Sequence, residues 1–118
     1  VISYGVTEML KHYFKELRPF ILLAFVPIVR ESGYSFPSAH AAVVAAVWSM
    51  LFISSKKHRW FLVLILILCL MVAISRIMLG VHYASDIVAG LAVGVVVTFV
   101  LYEIFSHITT LAKWGKKI

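Results

Sequence analysis

Three long apolar segments constrain this chain more than any other feature of its sequence. They cover residues 38–55, 60–79 and 84–105, and each approaches the roughly 20 apolar residues that an α-helix needs to cross a bilayer core. Because the connections between them are short, consecutive helices must run antiparallel. The spacing of Gly90 and Gly94 in the third segment favours close packing against another helix of the domain. The sequence therefore predicts an all-α fold, a polytopic transmembrane helical bundle with three spans.

The residues before the first span have a different character. Residues 1–17 mix charged and apolar side chains, which fits either an amphipathic helix or the end of a span whose beginning is missing. Pro19 stops that helix, and we expect residues 19–36 to form a loop on the outer side, because their apolar stretch is too short to cross a membrane. No linker or repeat divides the sequence, so residues 1–118 are expected to form a single domain.

Composition and charge agree with a membrane location. The chain is 63% hydrophobic with a mean hydropathy of +1.02, whereas soluble domains are roughly 45–50% apolar. The net charge is +6, but on so apolar a chain this indicates cytoplasmic loops or an anionic ligand, and we expect no nucleic-acid partner. Basic residues at positions 56–59 and 113–117 outnumber those on the opposite face by six to five, which weakly favours a cytoplasmic location for these two regions. The oligomeric state is left open.

The predicted topology brings polar residues from three distant stretches to one membrane surface. These residues are Lys11, Arg18, Ser38, His40, Arg76, His82 and Asp86. His82 and Asp86 are four positions apart, so on a helix they share a face, and the carboxylate can accept a hydrogen bond from one imidazole nitrogen. The other nitrogen is then free to act as a nucleophile or a base.

The start of the first span is suited to binding an anion. Ser38 occupies an N-cap position, and the backbone amides of Ala39 and His40 follow it at the helix N-terminus, where anions bind favourably. Three cations could surround the same anion: Lys11, Arg18 and Arg76. Arginine offers a planar fork that matches phosphate oxygens, and lysine offers a point charge. The predicted ligand is a phosphoryl group.

Three blocks of the sequence contain these residues in a fixed order. In the first block, six residues separate Lys11 from Arg18-Pro19. The second block is PSAH at 37–40. In the third block, Ser75-Arg76 is followed after five residues by His82, and His82 is followed after three residues by Asp86. Together they resemble the tripartite signature of the phosphatidic acid phosphatase type 2 superfamily, which includes lipid phosphatases of bacteria and the vanadium haloperoxidases. The resemblance covers residues 11–95, and within the blocks it departs from the family at Ala39, where glycine is usual.

The resemblance implies a metal-independent lipid phosphatase with no cofactor and with a histidine site at the outer membrane face. In that case His82 attacks phosphorus and forms a phosphohistidine, Asp86 orients His82, and His40 protonates the leaving oxygen and later activates water. The phosphate oxygens would be held by Lys11, Arg18, Ser38, Ala39 and Arg76. Membrane members of the family usually have more spans, so we expect this chain to lack the first helices of the usual core.

The expected partners are membrane lipids and a phosphorylated lipid substrate. The first candidate is a polyprenyl diphosphate such as undecaprenyl diphosphate, followed by phosphatidylglycerophosphate or another phospholipid phosphate and then lipid A. In a prokaryote the chain would lie in the cytoplasmic membrane, with its active site facing outwards. Two alternatives are a vanadate-dependent haloperoxidase-like oxidoreductase, which the lipid-length spans argue against, and a non-catalytic membrane module that binds anions. Glu31 could shape substrate entry, although an exposed loop is the favoured interpretation of its position.

Overall fold

The computed structural model describes residues 1–54 and 59–115, and every regular element within them is a helix. The predicted all-α fold is therefore confirmed. The basic positions 56, 57, 116 and 117 that the sequence assigns to the cytoplasm lie outside the described residues. The helices are α1 (Ile2–Phe14), α2 (Pro19–Leu22), α3 (Ala39–Ser54), α4 (Arg59–Met78) and α5 (Ala84–Gly115).

The three predicted spans correspond to α3, α4 and α5. Both α4 and α5 are long and apolar enough to cross a membrane. With 16 residues α3 is about 24 Å long, shorter than a hydrocarbon core of roughly 30 Å. α5 continues well beyond its predicted end at 105, because hydropathy marks where lipid contact ends, whereas a helix ends where its backbone hydrogen bonds stop. The arrangement with three spans stays a prediction.

The central helix is α3, which packs against α1, α4 and α5. Its approach to α5 is so close that a Cβ atom at Gly90 would lie 2.4 Å from the carbonyl oxygen of Ser38. A Cβ atom at Gly94 would lie 2.2 Å from the carbonyl oxygen of Ala42. The two glycines therefore let the helix backbones touch, as their spacing predicts. The contact at Gly90 holds the start of α5 beside the start of α3.

Small and polar side chains of α1 face the rest of the fold. Ser3, Thr7 and Lys11 are buried at four-residue intervals, where α1 packs against α3 and α5. By contrast, Met9 and Tyr13 are 76% and 81% exposed. Polar contact faces with apolar side chains outward are typical of helices in lipid. In α1 the polar side chains therefore face the other helices, and large apolar side chains face outward.

The connection between α1 and α3 folds back over the ends of the helices. It contains the short helix α2, which the sequence did not predict and which begins at Pro19, since the fixed φ of proline suits a first helical position. The amide of Ser35 donates a hydrogen bond to the carbonyl oxygen of Glu16 at 2.8 Å, which closes the connection into a loop. This loop covers the end of the bundle where the predicted site residues lie.

Candidate active site

The last part of α1 and the starts of α3 and α5 surround a cleft of about 450 Å³ at one end of the bundle. Five of the predicted site residues line it: Lys11, Arg18, Ala39, His40 and His82. Arg76 reaches this cleft from α4 through its contact with Glu31, which also lines the cleft. Ser38 and Asp86 lie directly behind it, because the amide of Ser38 donates to the carbonyl oxygen of Asp86 at 3.0 Å. All eight predicted residues are thus brought together.

His82 and Asp86 form the predicted pair. His82 lies in the turn before α5 and is 2% exposed, and its Nδ1 atom is 3.3 Å from Oδ2 of Asp86. The same carboxylate oxygen accepts a hydrogen bond from the amide of Tyr83 at 2.8 Å, which satisfies a free amide at the start of α5. The carboxylate thus favours the tautomer in which Nδ1 carries the hydrogen, and Nε2 is left with a free electron pair.

Ser35 is a third member of this hydrogen-bonded group. Its hydroxyl donates to Oδ2 of Asp86 and lies 3.5 Å from Nδ1 of His82. Ser35 is fully buried, and 51 residues separate it from Asp86. Sequence reasoning missed this residue, because no local pattern reports a contact over that distance. The available signal was its position two residues before Pro37, the first residue of the second signature block.

Backbone carbonyls fix the guanidinium of Arg18 beside the histidine. Arg18 is 2% exposed; its Nε donates to Gly33 at 3.1 Å, its Nη2 to Ser32 at 3.1 Å and its Nη1 to Val81 at 3.0 Å. In this position Nη1 lies 3.4 Å from Nε2 of His82. The positive charge is therefore held next to the free nitrogen of the imidazole.

A carboxylate that the sequence analysis assigned to an exposed loop lies at the centre of the site. Oε2 of Glu31 is 2.9 Å from Nη1 of Arg18, and the other oxygen contacts Nη2 of Arg76. Oε2 is also 3.7 Å from Nε2 of His82, and Oε1 is 4.0 Å from Nδ1 of His40. The Glu31 side chain is only 19% exposed, so the exposed-loop interpretation is wrong. Two guanidinium groups attract the carboxylate into the cleft.

The start of α3 is capped as the sequence predicts. The hydroxyl of Ser38 accepts a hydrogen bond from the amide of Ala41 at 3.4 Å. Ala39 is buried, whereas the His40 side chain is 54% exposed at the mouth of the cleft. His40 can therefore exchange protons with water while it faces the cleft.

The buried Lys11 lies on the α1 side, where its Nζ pairs with Glu8 at 2.8 Å.

The electrostatics of the cleft favour an anion and a neutral His82 imidazole. Burial lowers the pKa of His82, and the positive charge of Arg18 lowers it further, whereas the hydrogen bond with Asp86 raises it. The Lys11 cation lowers this pKa as well. His82 is accordingly neutral near pH 7.

Within residues 1–54 and 59–115, no group of three His, Cys, Asp or Glu side chains is placed to hold a metal ion.

Comparison with known proteins identifies the family. Residues 1–109 of the chain match the PAP2 superfamily. The chain belongs to this superfamily. It is 31% identical over 104 residues to phosphatidylglycerophosphatase B of Bacillus subtilis, covering 81% of this chain and 49% of the relative. It is 32% identical over 108 residues to an undecaprenyl-diphosphatase of Sulfolobus acidocaldarius, covering 90% of this chain and 52% of the relative.

The PAP2 fold is also found in a solved structure. The crystal structure of a transmembrane PAP2-type phosphatidylglycerolphosphate phosphatase from Bacillus subtilis matches with a TM-score of 0.72 and 29% sequence identity, covering 91% of this chain and 57% of that one. The chain spans about half the length of the curated relatives named above, at 49% and 52%. With two helices of spanning length and a transmembrane neighbour, this PAP2 chain is a membrane protein. The predicted family is confirmed, and the roles of its individual residues stay predictions.

Proposed function

We propose that this PAP2 chain supplies the catalytic site of an integral, multi-pass membrane phosphatase that releases phosphate from a phosphorylated lipid. One observation carries the proposal: two arginines and two histidines converge on a single point of negative charge, the Glu31 carboxylate. Its oxygens lie 2.9 Å from Arg18, 3.7 Å from His82 and 4.0 Å from His40, and they also contact Arg76. A phosphoryl group at this point would meet a nucleophile, a proton donor and two guanidinium cations.

In the first step, Nε2 of His82 uses its free electron pair to form a bond with phosphorus. The bond between phosphorus and the leaving oxygen breaks, and its electron pair stays on that oxygen, to which His40 donates a proton. Asp86 accepts the hydrogen bond of Nδ1 and stabilises the positive charge that develops on the imidazole of His82. Arg18 and Arg76 stabilise the charge on the remaining phosphoryl oxygens.

In the second step, water attacks the phosphohistidine. His40, which lost its proton in the first step, accepts one from the water, and the new bond joins the water oxygen to phosphorus. The bond between phosphorus and Nε2 breaks and returns its electron pair to His82. Inorganic phosphate leaves, and both histidines have recovered their starting states. The sequence of bond changes balances without a metal or a second substrate.

The fold supports a lipid as the carrier of the phosphate. The cleft lies at one end of a bundle whose outward side chains are largely apolar, so the head group can enter the cleft while the tail lies along the helices. The relatives are named for two such substrates, undecaprenyl diphosphate and phosphatidylglycerophosphate. We place a polyprenyl diphosphate first, then phosphatidylglycerophosphate or another phospholipid phosphate, then lipid A. We further propose that the cleft faces the outer side of the cytoplasmic membrane.

The direct test is phosphate release by the purified protein in detergent, measured side by side on these lipids with excess chelator. We expect turnover of at least one lipid, retention of activity with chelator, and its loss in His82→Ala. The matched control is His107→Ala, because the His107 side chain is 81% exposed on α5 and is expected to be dispensable. Full activity in His82→Ala would exclude the mechanism, and so would loss of activity with chelator.

The same preparation tests the two alternatives. Vanadate resembles the phosphoryl transition state and is expected only to inhibit. Halide oxidation that depends on vanadate and peroxide would instead support the oxidoreductase. Phosphate binding with no turnover of any lipid would support the anion-binding module.

A further inference from the structure

Glu31 lies where the proposed mechanism requires the phosphoryl group. Its Oε2 atom contacts Arg18 and lies 3.7 Å from His82. Its Oε1 atom contacts Arg76 and lies 4.0 Å from His40. A phosphate bound to this cleft and the Glu31 carboxylate would therefore compete for one position. We propose that Glu31 is an internal competitor, a carboxylate that occupies the anion site until a phosphorylated ligand displaces it, and that this exchange sets the apparent affinity of the site. The inference rests on the proposed function only in taking the ligand to be a phosphoryl group.

The carboxylate reproduces the contacts that a phosphate would make. Two oxygens of one group pair with two guanidinium ions, as two oxygens of a phosphate would. A carboxylate has one negative charge and two oxygens, whereas a phosphate monoester dianion has two charges and three terminal oxygens. The third oxygen and the extra charge give the phosphate the stronger interaction with Arg18 and Arg76. Glu31 can thus hold the site and still be displaced by the substrate.

Displacement requires rotation of one side chain and leaves the loop in place. The carbonyl groups of Ser32 and Gly33, the two residues after Glu31, accept hydrogen bonds from Arg18 at 3.1 Å each. These bonds anchor the backbone next to Glu31 in the same position whether its carboxylate is inside or outside the cleft. Since the Glu31 side chain is 19% exposed, it has a path to water.

A purely structural role for Glu31 would be to orient the arginines, and the contacts of Arg18 argue against it. Three backbone carbonyls hold Arg18 independently of Glu31. Arg76 depends on Glu31 more, because its Nε has no hydrogen-bond partner among the described residues. Removal of the carboxylate would therefore leave Arg18 in place and make its guanidinium group available to phosphate, while Arg76 would lose the carboxylate that it contacts.

The size of the effect follows from population arithmetic. When only a fraction of molecules has a free site, the apparent dissociation constant is the intrinsic one divided by that fraction. If Glu31 occupies the site for nine-tenths of the time, its removal tightens phosphate binding about tenfold. The gain appears in equilibrium binding, so it can be measured without catalysis.

The test is calorimetric titration of the purified protein in detergent with inorganic phosphate. We expect Glu31→Gln to bind phosphate about tenfold more tightly than the unmodified chain. The matched control is Glu16→Gln, which removes the same charge from the same connection at a residue that does not line the cleft. It should bind phosphate as the unmodified chain does. Unchanged or weaker binding in Glu31→Gln would overturn the inference, and so would an equal gain in both variants.

A second variant keeps the charge and changes only its reach. Glu31→Asp shortens the side chain by one methylene, so its carboxylate cannot span both arginines, and phosphate should again bind more tightly than in the unmodified chain. Binding unchanged from that of the unmodified chain would contradict internal competition. These titrations do not depend on lipid hydrolysis. Failure of the proposed function would appear as absent turnover, whereas failure of this inference would appear as unchanged phosphate affinity.

Discussion

Nδ1 of His82 lies 3.3 Å from Oδ2 of Asp86, and this contact determines which imidazole nitrogen faces the cations. The opposite nitrogen, Nε2, lies 3.4 Å from Nη1 of Arg18, a residue 64 positions earlier in the chain. One side of the ring is thus held by the start of α5, and the other side faces the connection that follows α1. This arrangement suits the proposed role of Nε2 as a nucleophile for a bound anion.

Replacing Asp86 by Asn tests this relationship. The substitution keeps the size of the side chain but removes the negative charge that orients the imidazole and stabilises its charged form. We expect kcat for lipid phosphate release to fall by about 10⁴-fold, the fall seen when the carboxylate behind a catalytic histidine is neutralised. Glu103→Gln, at a carboxylate that is 66% exposed on α5, is the control and should be unaffected. Comparable kcat values in the two variants would refute the orienting role of Asp86.

Ser35→Ala removes the hydroxyl that donates to Asp86. The carboxylate would lose one of the hydrogen bonds that fix its position, and a hydrogen bond to a charged group contributes about 1.5 kcal/mol or more. We therefore expect kcat to fall about tenfold with little change in KM, since Ser35 lies behind the histidine and does not line the cleft. The control is Ser106→Ala, an exposed serine on α5. A raised KM with unchanged kcat would show that Ser35 acts on substrate binding instead.

The acid limb of the pH dependence of kcat/KM reports the protonation of His82 in the free enzyme, and the basic limb reports the loss of the proton that His40 donates. Only the neutral imidazole can attack, so activity should be lost as the pH falls through the pKa of His82. Burial lowers that pKa, so the acid limb should lie below the ordinary histidine value of 6.5. Arg18→Gln removes a cation that also lowers it, so the imidazole signal of His82 should titrate at higher pH in that variant. An unchanged titration would contradict the electrostatic coupling.

Gly90→Ala tests the helix contact that brings the two signature blocks together. The new Cβ atom would lie 2.4 Å from the carbonyl oxygen of Ser38, so α3 and α5 must separate. Overpacking of this kind costs about 1–3 kcal/mol, and we expect a lower unfolding temperature together with reduced phosphate release. Gly5→Ala is the matched control, because a Cβ atom on α1 at that position meets nothing within 4 Å. Equal stability of the two variants would show that the contact at Gly90 is loose.

Much of the fold could be predicted because it follows from local patterns. Apolar stretches near the length of a bilayer predicted α3, α4 and α5, and the spacing of Gly90 and Gly94 predicted a close helix contact. The end of α5 was missed because apolar residues become sparse before the helix stops. The short helix α2 was missed because four residues contain too little periodicity to indicate a helix.

Local sequence patterns likewise predicted one part of the candidate site and missed another. His82 and Asp86 could be paired from a spacing of four residues, and the cations could be collected from the signature blocks. Glu31 and Ser35 could not be placed, because their contacts depend on how the connection between α1 and α3 folds over the helix ends. A carboxylate in a loop has the same local signal whether it faces water or two buried arginines. Only the tertiary structure distinguishes these environments.

The central claim is that His82 forms a covalent bond with phosphorus. Its most direct measurement is an alkaline-quenched reaction with a lipid labelled in its terminal phosphate, followed by mass spectrometry to locate the label. We predict a phosphoryl group on His82 during turnover, and in His40→Ala both slower formation and slower hydrolysis of this group, because His40 serves both steps. Turnover with no labelled histidine, or with the label on a residue other than His82, would contradict the account.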